Sequence, residues 1–180
     1  MNKQVSQLHP SQQTRIILET PRLVLRELTL DDLDFVAEML AHPEVMFFWP
    51  KPYTRDKAEA WIRRHEESYA RHGYGYWLAL DKATGQPIGQ AGLLALQVDG
   101  VAETGIGYII HRPFWRRGYA TEAALGCRDY AFRKLGKERI VVLVRPENVV
   151  SQSVARKLGV QPERETVFAG LVHTVFVATR

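Results

Sequence analysis

The chain contains few of the residues that mark secreted or membrane-spanning proteins. Cys127 is the one cysteine among 180 residues, which excludes an intramolecular disulfide and fits a reducing compartment. No apolar run approaches the ~18 residues of a membrane span, and residues 1–13 are polar and unlike a signal peptide. These absences predict a cytoplasmic protein without a membrane partner. We also expect a flexible tail over residues 1–14 and one folded domain over 15–180.

Metal-ligand patterns and long basic runs are absent as well. No spacing of histidine and cysteine suggests a metal site, so we expect no bound metal. The net charge of +4 is spread along the chain, and the basic pair at its centre is Arg116-Arg117. Nucleic-acid binding requires a clustered basic face, whereas a small anionic ligand accounts for a local excess equally well. We therefore expect no nucleic acid among the partners.

The residues that are present follow the pattern of a globular α/β chain. Hydrophobic residues make up 46% of the sequence, enough for a sizeable core. Apolar residues recur at helical spacing in some segments and alternate or run together in others. The predicted helices begin near Thr29, Thr54, Ala120 and either Asn148 or Ser151. The predicted strands lie at 22–28, 76–80, 88–98, 102–110 and 140–144, near 167–168, and at 171–178.

One strand–loop–helix connection has the composition of an anion site. The strand at 102–110 leads to Trp115-Arg116-Arg117-Gly118-Tyr119-Ala120-Thr121, and a helix follows. The first turn of a helix offers unpaired N–H groups and the positive end of the helix dipole. Gly118 lets the backbone approach a ligand, and the arginines add charge. These features predict a diphosphate site, although an ordinary connection with surface arginines has the same composition. The loop is neither a Walker loop nor a three-glycine dinucleotide fingerprint.

Residues 108–123 resemble the acetyl-CoA-binding motif of the GNAT acetyltransferases. The branch that they resemble most includes the ribosomal-protein-alanine N-acetyltransferases of the Rim type. The superfamily pattern is Gln/Arg, two residues, Gly, one residue and Gly/Ala, which Gly118 and Ala120 match. Trp115 occupies the first position, a departure that is usual in this branch. Further segments resemble the branch in the same order, so that the similarity covers roughly 17–160: they lie at 18–26, 42–62 and 148–159.

The resemblance implies a fold and a cofactor. The fold is a single GNAT-like α/β domain, with a central mixed, mostly antiparallel sheet splayed between strands 4 and 5 and helices on both faces. The cofactor is acetyl-CoA (CoA), with its pantetheine arm at the splay and its pyrophosphate on the loop. The implied cofactor contacts are Tyr108, Ile109, Ile110, Arg116, Arg117, Gly118, Tyr119, Ala120, Thr121 and Asn148. For Asn148, a turn or helix-capping role is the alternative.

The resemblance also implies acetyl transfer to an amine, which needs a base for the amine and a proton donor for the thiolate. Many GNAT enzymes use a tyrosine in the later helix, but 155–158 contains none, and Ser151 matches the serine of the Rim-like branch. Ser151 is therefore the candidate donor to sulfur, with a helix N-cap as its alternative role. Glu103 is the candidate base, because the branch often has glutamate at Gly105 and Glu103 faces the same side of the strand. A solvated strand-end glutamate is the alternative, and weaker candidates for the base are Tyr108 and His173.

The acceptor is expected to be a primary amine, such as a protein N-terminus in the Rim-like enzymes. A small amine such as a polyamine or an aminoglycoside is the second choice, and a CoA-binding regulatory module without turnover is the competing hypothesis. Aromatic side chains are expected to wall the acceptor pocket, with core packing as the alternative. They are Phe47, Phe48, Trp49 and Tyr76. The expected assembly is a monomer or a homodimer.

Overall fold

The computed structural model describes residues 14–180, and residues 1–13 of the predicted tail lie outside that range. Eight strands and four α-helices follow one another over the described residues. The strands are β1 (Ile16–Glu19), β2 (Leu23–Glu27), β3 (Tyr76–Asp81), β4 (Pro87–Val98), β5 (Val101–Ile110), β6 (Arg139–Val144), β7 (Gln161–Phe168) and β8 (Leu171–Thr179). The helices are α1 (Leu33–Ala41), α2 (Arg55–His72), α3 (Tyr119–Arg133) and α4 (Val149–Lys157).

The strands form one sheet in the order β1-β2-β3-β4-β5-β6-β8-β7. Neighbouring strands are antiparallel except β5 and β6, which are parallel. Within residues 14–180, β5 and β6 share a single register pair, Gly105 with Val141, whereas β4 and β5 pair along their whole length. The sheet is therefore open between β5 and β6 beyond that pair. The predicted mixed, splayed sheet is confirmed, and its predicted strands 4 and 5 are β5 and β6.

Helices cover both faces of the sheet, as predicted. On one side, which we call the α3/α4 face, α3 and α4 pack through residues such as Ala123 and Val154. On the other side, the α1/α2 face, α1 and α2 pack through residues such as Met39 and Trp61. Cys127 is fully buried in α3, and this burial raises the pKa of its thiol. The thiol thus belongs to the core, where free cysteine behaves as a small hydrophobe.

Helix ends follow the local signals in the sequence. The Thr29 N–H donates to Asp32 Oδ2 at 3.0 Å, which is one half of a capping box just before α1. α1 ends at Ala41, immediately before His42-Pro43, because the residue preceding a proline disfavours helical geometry. α2 ends at His72, and the Gly73 that follows it has a left-handed φ of +79°.

Two strands depart from the predicted pattern. The sequence does not predict β1, whose Ile-Ile-Leu-Glu lacks polar and apolar alternation and which pairs with β2 across an irregular register. β7 begins at Gln161, well before the predicted position near Val167. β7 lies at the edge of the sheet, so most of its polar side chains stay in water and give no apolar signal.

Candidate functional site

The connection from β5 into α3 has an unusual backbone. Arg116 has φ +61° and Gly118 has φ +80°, both in the left-handed region. That region disfavours a residue with a Cβ by about 1–2 kcal/mol, and such strain persists where surrounding contacts enforce it, commonly at binding sites. The indole N–H of Trp115 donates to the carbonyl of Ile110 at 2.7 Å and fixes the start of the turn. The chain thus turns sharply beside the open end of the sheet.

The first turn of α3 presents backbone N–H groups to its surroundings. The Glu122 N–H donates to the Gly118 carbonyl at 3.1 Å, and within residues 14–180 no side chain caps this helix start. The amides of Tyr119, Ala120 and Thr121 precede that first helical hydrogen bond, so they point out of the helix end. Together with the helix dipole, these amides form a site suited to an anion.

Arg22 clamps this loop to the sheet. Its Nε donates to Glu122 Oε2 at 2.6 Å, its Nη1 donates to the Arg117 carbonyl at 3.0 Å, and its guanidinium lies 4.5 Å from the ring centroid of Tyr119. Glu122 also accepts from the Thr20 hydroxyl at 2.6 Å. Burial alone would raise the pKa of Glu122, but the hydrogen bonds from Thr20 and Arg22 hold it below its ordinary value. The loop is therefore held in place before any ligand binds.

Tyr119 ties the first turn of α3 to the end of β3. Its hydroxyl donates to Asp81 Oδ2 at 2.7 Å, and this hydrogen bond is the main reason that the pKa of Tyr119 is raised. The side chain is thus occupied by positioning, and its backbone N–H is what remains for a ligand. Arg116 and Arg117 are exposed, which leaves both charges beside the amides.

The gap between β5 and β6 is lined by backbone polar groups. The His111 N–H donates to the Ile88 carbonyl at 2.9 Å, toward β4. Because backbone polar groups alternate sides along a strand, those of Tyr108 and Ile110 are directed to the gap and those of Ile109 to β4. Of the predicted pantetheine contacts, Tyr108 and Ile110 thus face the gap. Ile109 instead packs its side chain in the α1/α2 core.

On the α3/α4 face, the gap is bordered by two hydroxyl groups in contact. The Tyr108 hydroxyl lies 2.9 Å from Ser151 Oγ and 3.0 Å from the Ser151 carbonyl. Burial raises the pKa of Tyr108 to about 12, so the phenol stays protonated at neutral pH. The structure thus brings together a predicted cofactor residue of β5 and the predicted proton donor of α4.

Asn148 caps α4. Its Oδ1 accepts from the Ser151 N–H at 3.0 Å, which is the helix-capping alternative predicted for this residue. Ser151 is not the N-cap, so its hydroxyl can contact Tyr108. The side-chain NH₂ of Asn148 is the part that a cofactor could still use, and that contact stays a prediction.

On the α1/α2 face, Tyr76 crosses from β3 toward β5. Its phenol lies over Gly107, where a Cβ would overlap the hydroxyl oxygen. The ring packs 5.3 Å from Trp61 and 5.2 Å from His65. The Tyr76 N–H donates to His65 Nδ1 at 3.2 Å, and burial lowers the pKa of His65 to about 4, so the imidazole is neutral. Tyr76 is therefore held rigidly next to the gap, on the side opposite Ser151.

Glu103 lies in an ion pair instead of at an open position. Its side chain is 7% exposed, and Arg139 Nε donates to Oε1 at 3.0 Å. Arg139 Nη2 also lies 3.0 Å from Glu163 Oε2, so the three charges form a network. To accept a proton, Glu103 would first have to release Arg139. Its role as the base stays a prediction.

The predicted aromatic wall of the acceptor pocket is spread over two environments. Phe47 is 74% exposed and contacts Phe48 edge to face, with ring centroids 5.1 Å apart. Trp49 is half-buried against the α1/α2 core, and Tyr76 belongs to that core. The acceptor contacts of Phe47, Phe48 and Trp49 therefore stay predictions.

An elongated groove of about 740 Å³ leaves the loop at Gly118 and Thr121 and runs along α3. Its far end is basic and is bordered by Arg133, Lys134 and Lys157. Among the described residues, no group of three or more histidine, cysteine, aspartate or glutamate residues could hold a metal ion. None of the helices in that range has the length and apolar character to cross a bilayer.

Residues 22–161 match the family described as the acetyltransferase (GNAT) domain. Because this match covers most of the chain, the protein belongs to that family and is an acetyltransferase by class. The fold described above is the one that the resemblance implies.

Individual relatives agree with this membership. The chain is 32% identical over 149 residues to the uncharacterized N-acetyltransferase p20 of Bacillus licheniformis, covering 81% of this chain and 83% of that protein. It superposes on an acetyltransferase of Agrobacterium tumefaciens str. C58 with a TM-score of 0.78 at 26% identity, covering 98% and 100% of the two chains. RimL, a ribosomal L7/L12 alpha-N-protein acetyltransferase solved in complex with coenzyme A, shares the fold with a TM-score of 0.72 at 19% identity, covering 92% and 97%.

Proposed function

We propose that the protein transfers the acetyl group of acetyl-CoA to a primary amine, with the N-terminal amine of a polypeptide as the first candidate acceptor. The observation that supports this proposal most is the uncapped start of α3 beside the gap between β5 and β6. A diphosphate at this helix start would accept hydrogen bonds from its amides, and an extended pantetheine arm would pair with the backbone groups that face the gap. Among the described residues, the first amides of α3 and the backbone groups of Tyr108 have no hydrogen-bond partner.

The described residues fit CoA in charge and shape. The diphosphate would accept from the amides of Tyr119, Ala120 and Thr121, where Gly118 leaves room for close approach. The pantetheine arm would hydrogen-bond to the backbone of Tyr108 in the gap. The basic far end of the groove along α3 suits the nucleotide half of the molecule, because its phosphate is anionic.

Bound acetyl-CoA supplies an acetyl group activated as a thioester. Ser151 Oγ would donate a hydrogen bond to the departing sulfur and stabilise the thiolate, which takes up the proton that the amine releases. Tyr108 lies 2.9 Å behind that oxygen and retains its own proton, since its pKa is raised to about 12. Asn148 keeps Ser151 in position through the cap of α4. The chain thus provides a two-hydroxyl donor next to the gap.

The amine is proposed to enter from the α1/α2 face, because Tyr108, Ser151 and α3 occupy the other face. There the Tyr76 phenol lies over Gly107 and borders the path to the gap. Orientation of a neutral amine against the acetyl group can supply several kcal/mol of barrier reduction. Glu103 is proposed as the base in a state in which it has released Arg139, directly or through water.

The test measures thiol release from acetyl-CoA with three acceptor classes: peptides with free N-termini, polyamines and aminoglycosides. We expect release that depends on the amine, with peptides as the best class, and acetylated product by mass spectrometry. Tight CoA binding without turnover on any acceptor would contradict the proposal and favour a CoA-binding module. Faster transfer to polyamines or aminoglycosides would replace the peptide acceptor.

A further inference from the structure

The α1/α2 side of the gap has a positive charge that the proposed transfer does not use. Leu143 of β6 and Leu96 of β4 both pack against the buried cluster of Val98, Val141 and Val175. Leu96 shares its face of β4 with Gln90, whose side chain accepts from Trp61 of α2 at 3.1 Å. Since side chains alternate along a strand, Arg145 extends the row of Leu143 on this same face.

Arg145 lies next to the opening. β5 and β6 run parallel from their one paired position, so equal steps along both strands place Leu143 opposite Gly107. Tyr76 lies over Gly107, and Arg145 comes two residues after Leu143, directly after the end of β6. Tyr76 and Arg145 therefore border the same entrance from opposite sides of the gap.

The guanidinium of Arg145 forms few polar contacts within the described residues. The side chain is 23% exposed, and its Nε is buried with no hydrogen-bond partner among the described residues. Its Nη2 lies 3.4 Å from Glu147, whose side chain is 64% exposed. Because Glu147 is largely exposed and the contact is long, the pair contributes about 0–1 kcal/mol, and an incoming carboxylate can replace it.

Arg145 is the group next to the gap that keeps its positive charge at neutral pH. The last register pair of β6 and β8 is Val144 with Thr174, so Arg145 and His173 follow as neighbours. Burial, together with the charge of Arg145, lowers the pKa of His173 below its ordinary value. His173 is therefore neutral at pH 7, and Glu147 is the nearby acidic group.

We propose that Arg145 recognises a carboxylate that the acceptor carries close to its amine. A guanidinium binds a carboxylate through two parallel N–H donors, and the unused Nε is one of them. This inference rests on the proposed function, because it takes the amine to be acetylated at the gap. The acceptor class is a free α-amino acid or a peptide with Asp or Glu beside its N-terminus, which present the same chemistry.

The experiment uses acceptor pairs that differ by one carboxylate. Thiol release from acetyl-CoA is measured for amino acids against their amides, and for peptides with Asp against Asn at the second position. We expect kcat/KM to be about tenfold or more higher for the carboxylate member, the equivalent of one charge-assisted hydrogen bond. Arg145→Gln should abolish that preference, and Arg145→Lys should restore part of it. The pair type with the larger preference identifies the source of the carboxylate.

The control is Arg63→Gln, an exposed arginine of α2 whose i,i+4 partner is Glu59. It should leave the preference intact, and Arg145→Gln should leave CoA affinity unchanged by calorimetry. The inference is overturned if transfer occurs equally to both members, or if Arg145→Gln slows both equally or weakens CoA binding. Failure of the proposed function is a different result, since then no acceptor of either kind is acetylated.

Discussion

The starts of α3 and α4 are built differently, although the two helices follow β5 and β6, the parallel strands on either side of the gap. At α4, Asn148 accepts from the Ser151 N–H, so the chain satisfies its own helix end. At α3, the capping position is Gly118, which has no side chain to offer. The comparison teaches that one helix start is kept for a ligand. The other is closed, so that the Ser151 hydroxyl is available for chemistry.

The open start of α3 weakens the fold locally. Glycine at the capping position costs about a few tenths of a kcal/mol relative to a capping side chain, and a left-handed Arg116 adds about 1–2 kcal/mol of strain. The clamp of Arg22, Glu122 and Thr20 offsets this with charge-assisted hydrogen bonds of 2.6 Å. The loop is thus held by the chain, while its amides remain unpaired.

The largest expected effect is on CoA affinity, and it comes from a bulky side chain at the start of α3. Gly118→Val places a β-branched side chain at φ +80° at the start of α3, with its Cβ 3.5 Å from Arg22 Nη2. We expect CoA affinity by calorimetry to fall about 100-fold, because the geometry of two charge-assisted hydrogen bonds is lost.

The control for this change is Gly136→Val. Gly136 is also left-handed, with φ +62°, and a Cβ there would meet no described atom within 4 Å. Both variants should lose about 1–2 kcal/mol of unfolding free energy, but only the first should lose affinity. Equal CoA affinity in the two variants would remove Gly118 from the site.

A smaller effect is expected at the start of α4. Ser151→Ala should lower kcat about 100-fold while CoA affinity is unchanged, since it removes the donor to sulfur and leaves the Asn148 cap in place. Ser153→Ala, an exposed serine of the same helix, is the matched control. Wild-type turnover in Ser151→Ala would show that another group stabilises the thiolate.

The Asn148 cap of α4 should contribute about 1 kcal/mol to the free energy of unfolding. Asn148→Ala is expected to lose that much unfolding free energy in urea, whereas Asn148→Asp keeps an oxygen for the Ser151 N–H and should retain it. Asn148→Asp also lacks the NH₂ donor, so weaker CoA binding in a stable variant would locate the cofactor contact on that group. If Asn148→Ala is as stable as wild type, the cap is not a source of stability.

The smallest expected effect is a pH-dependent loss of stability when the clamp of Arg22, Glu122 and Thr20 is weakened. The folded pKa of Glu122 is held below its ordinary value of 4.5. The contribution of this carboxylate to the free energy of unfolding is therefore complete above pH 4.5 and is lost as pH falls through the folded pKa. Glu122→Gln should be less stable than wild type by about 1 kcal/mol at pH 6, and this difference should shrink as pH falls below 4.5 and vanish once Glu122 is protonated in the folded protein. Glu67→Gln, exposed on α2, is the control. A difference that stays constant as pH falls below 4.5 would contradict the account of the clamp.

Local patterns predicted the elements whose apolar spacing is regular. The stripe of α2, the apolar run of β6 and the turn into α3 all lie where the sequence indicates them. β1 escaped prediction because it is short, and only the last part of β7 was predicted because most of that strand is polar. Both are edge strands, whose formation depends on their neighbours.

The candidate site divides in the same way. The motif predicts the loop, because amide donors and a left-handed glycine are local properties. Contacts between distant residues are not local: Arg22 and Glu122 are 100 positions apart, and Tyr108 and Ser151 are 43 apart. The sequence does not show that Arg139 pairs with Glu103, because a glutamate near the end of a strand has the same sequence pattern whether it is solvated or paired. These contacts follow only from the sheet register and the packing of helices.

The central claim is that the bare amides at the start of α3 bind the diphosphate of CoA. The most direct measurement is a titration of ¹⁵N-labelled protein with CoA, followed by the amide shifts of residues 118–121, with residues 55–57 at the start of α2 as the internal reference. The account predicts saturable downfield shifts at 118–121 that pantetheine, which lacks the diphosphate, does not produce, and no change at 55–57. Saturable CoA binding that leaves the amides of 118–121 unshifted would contradict it.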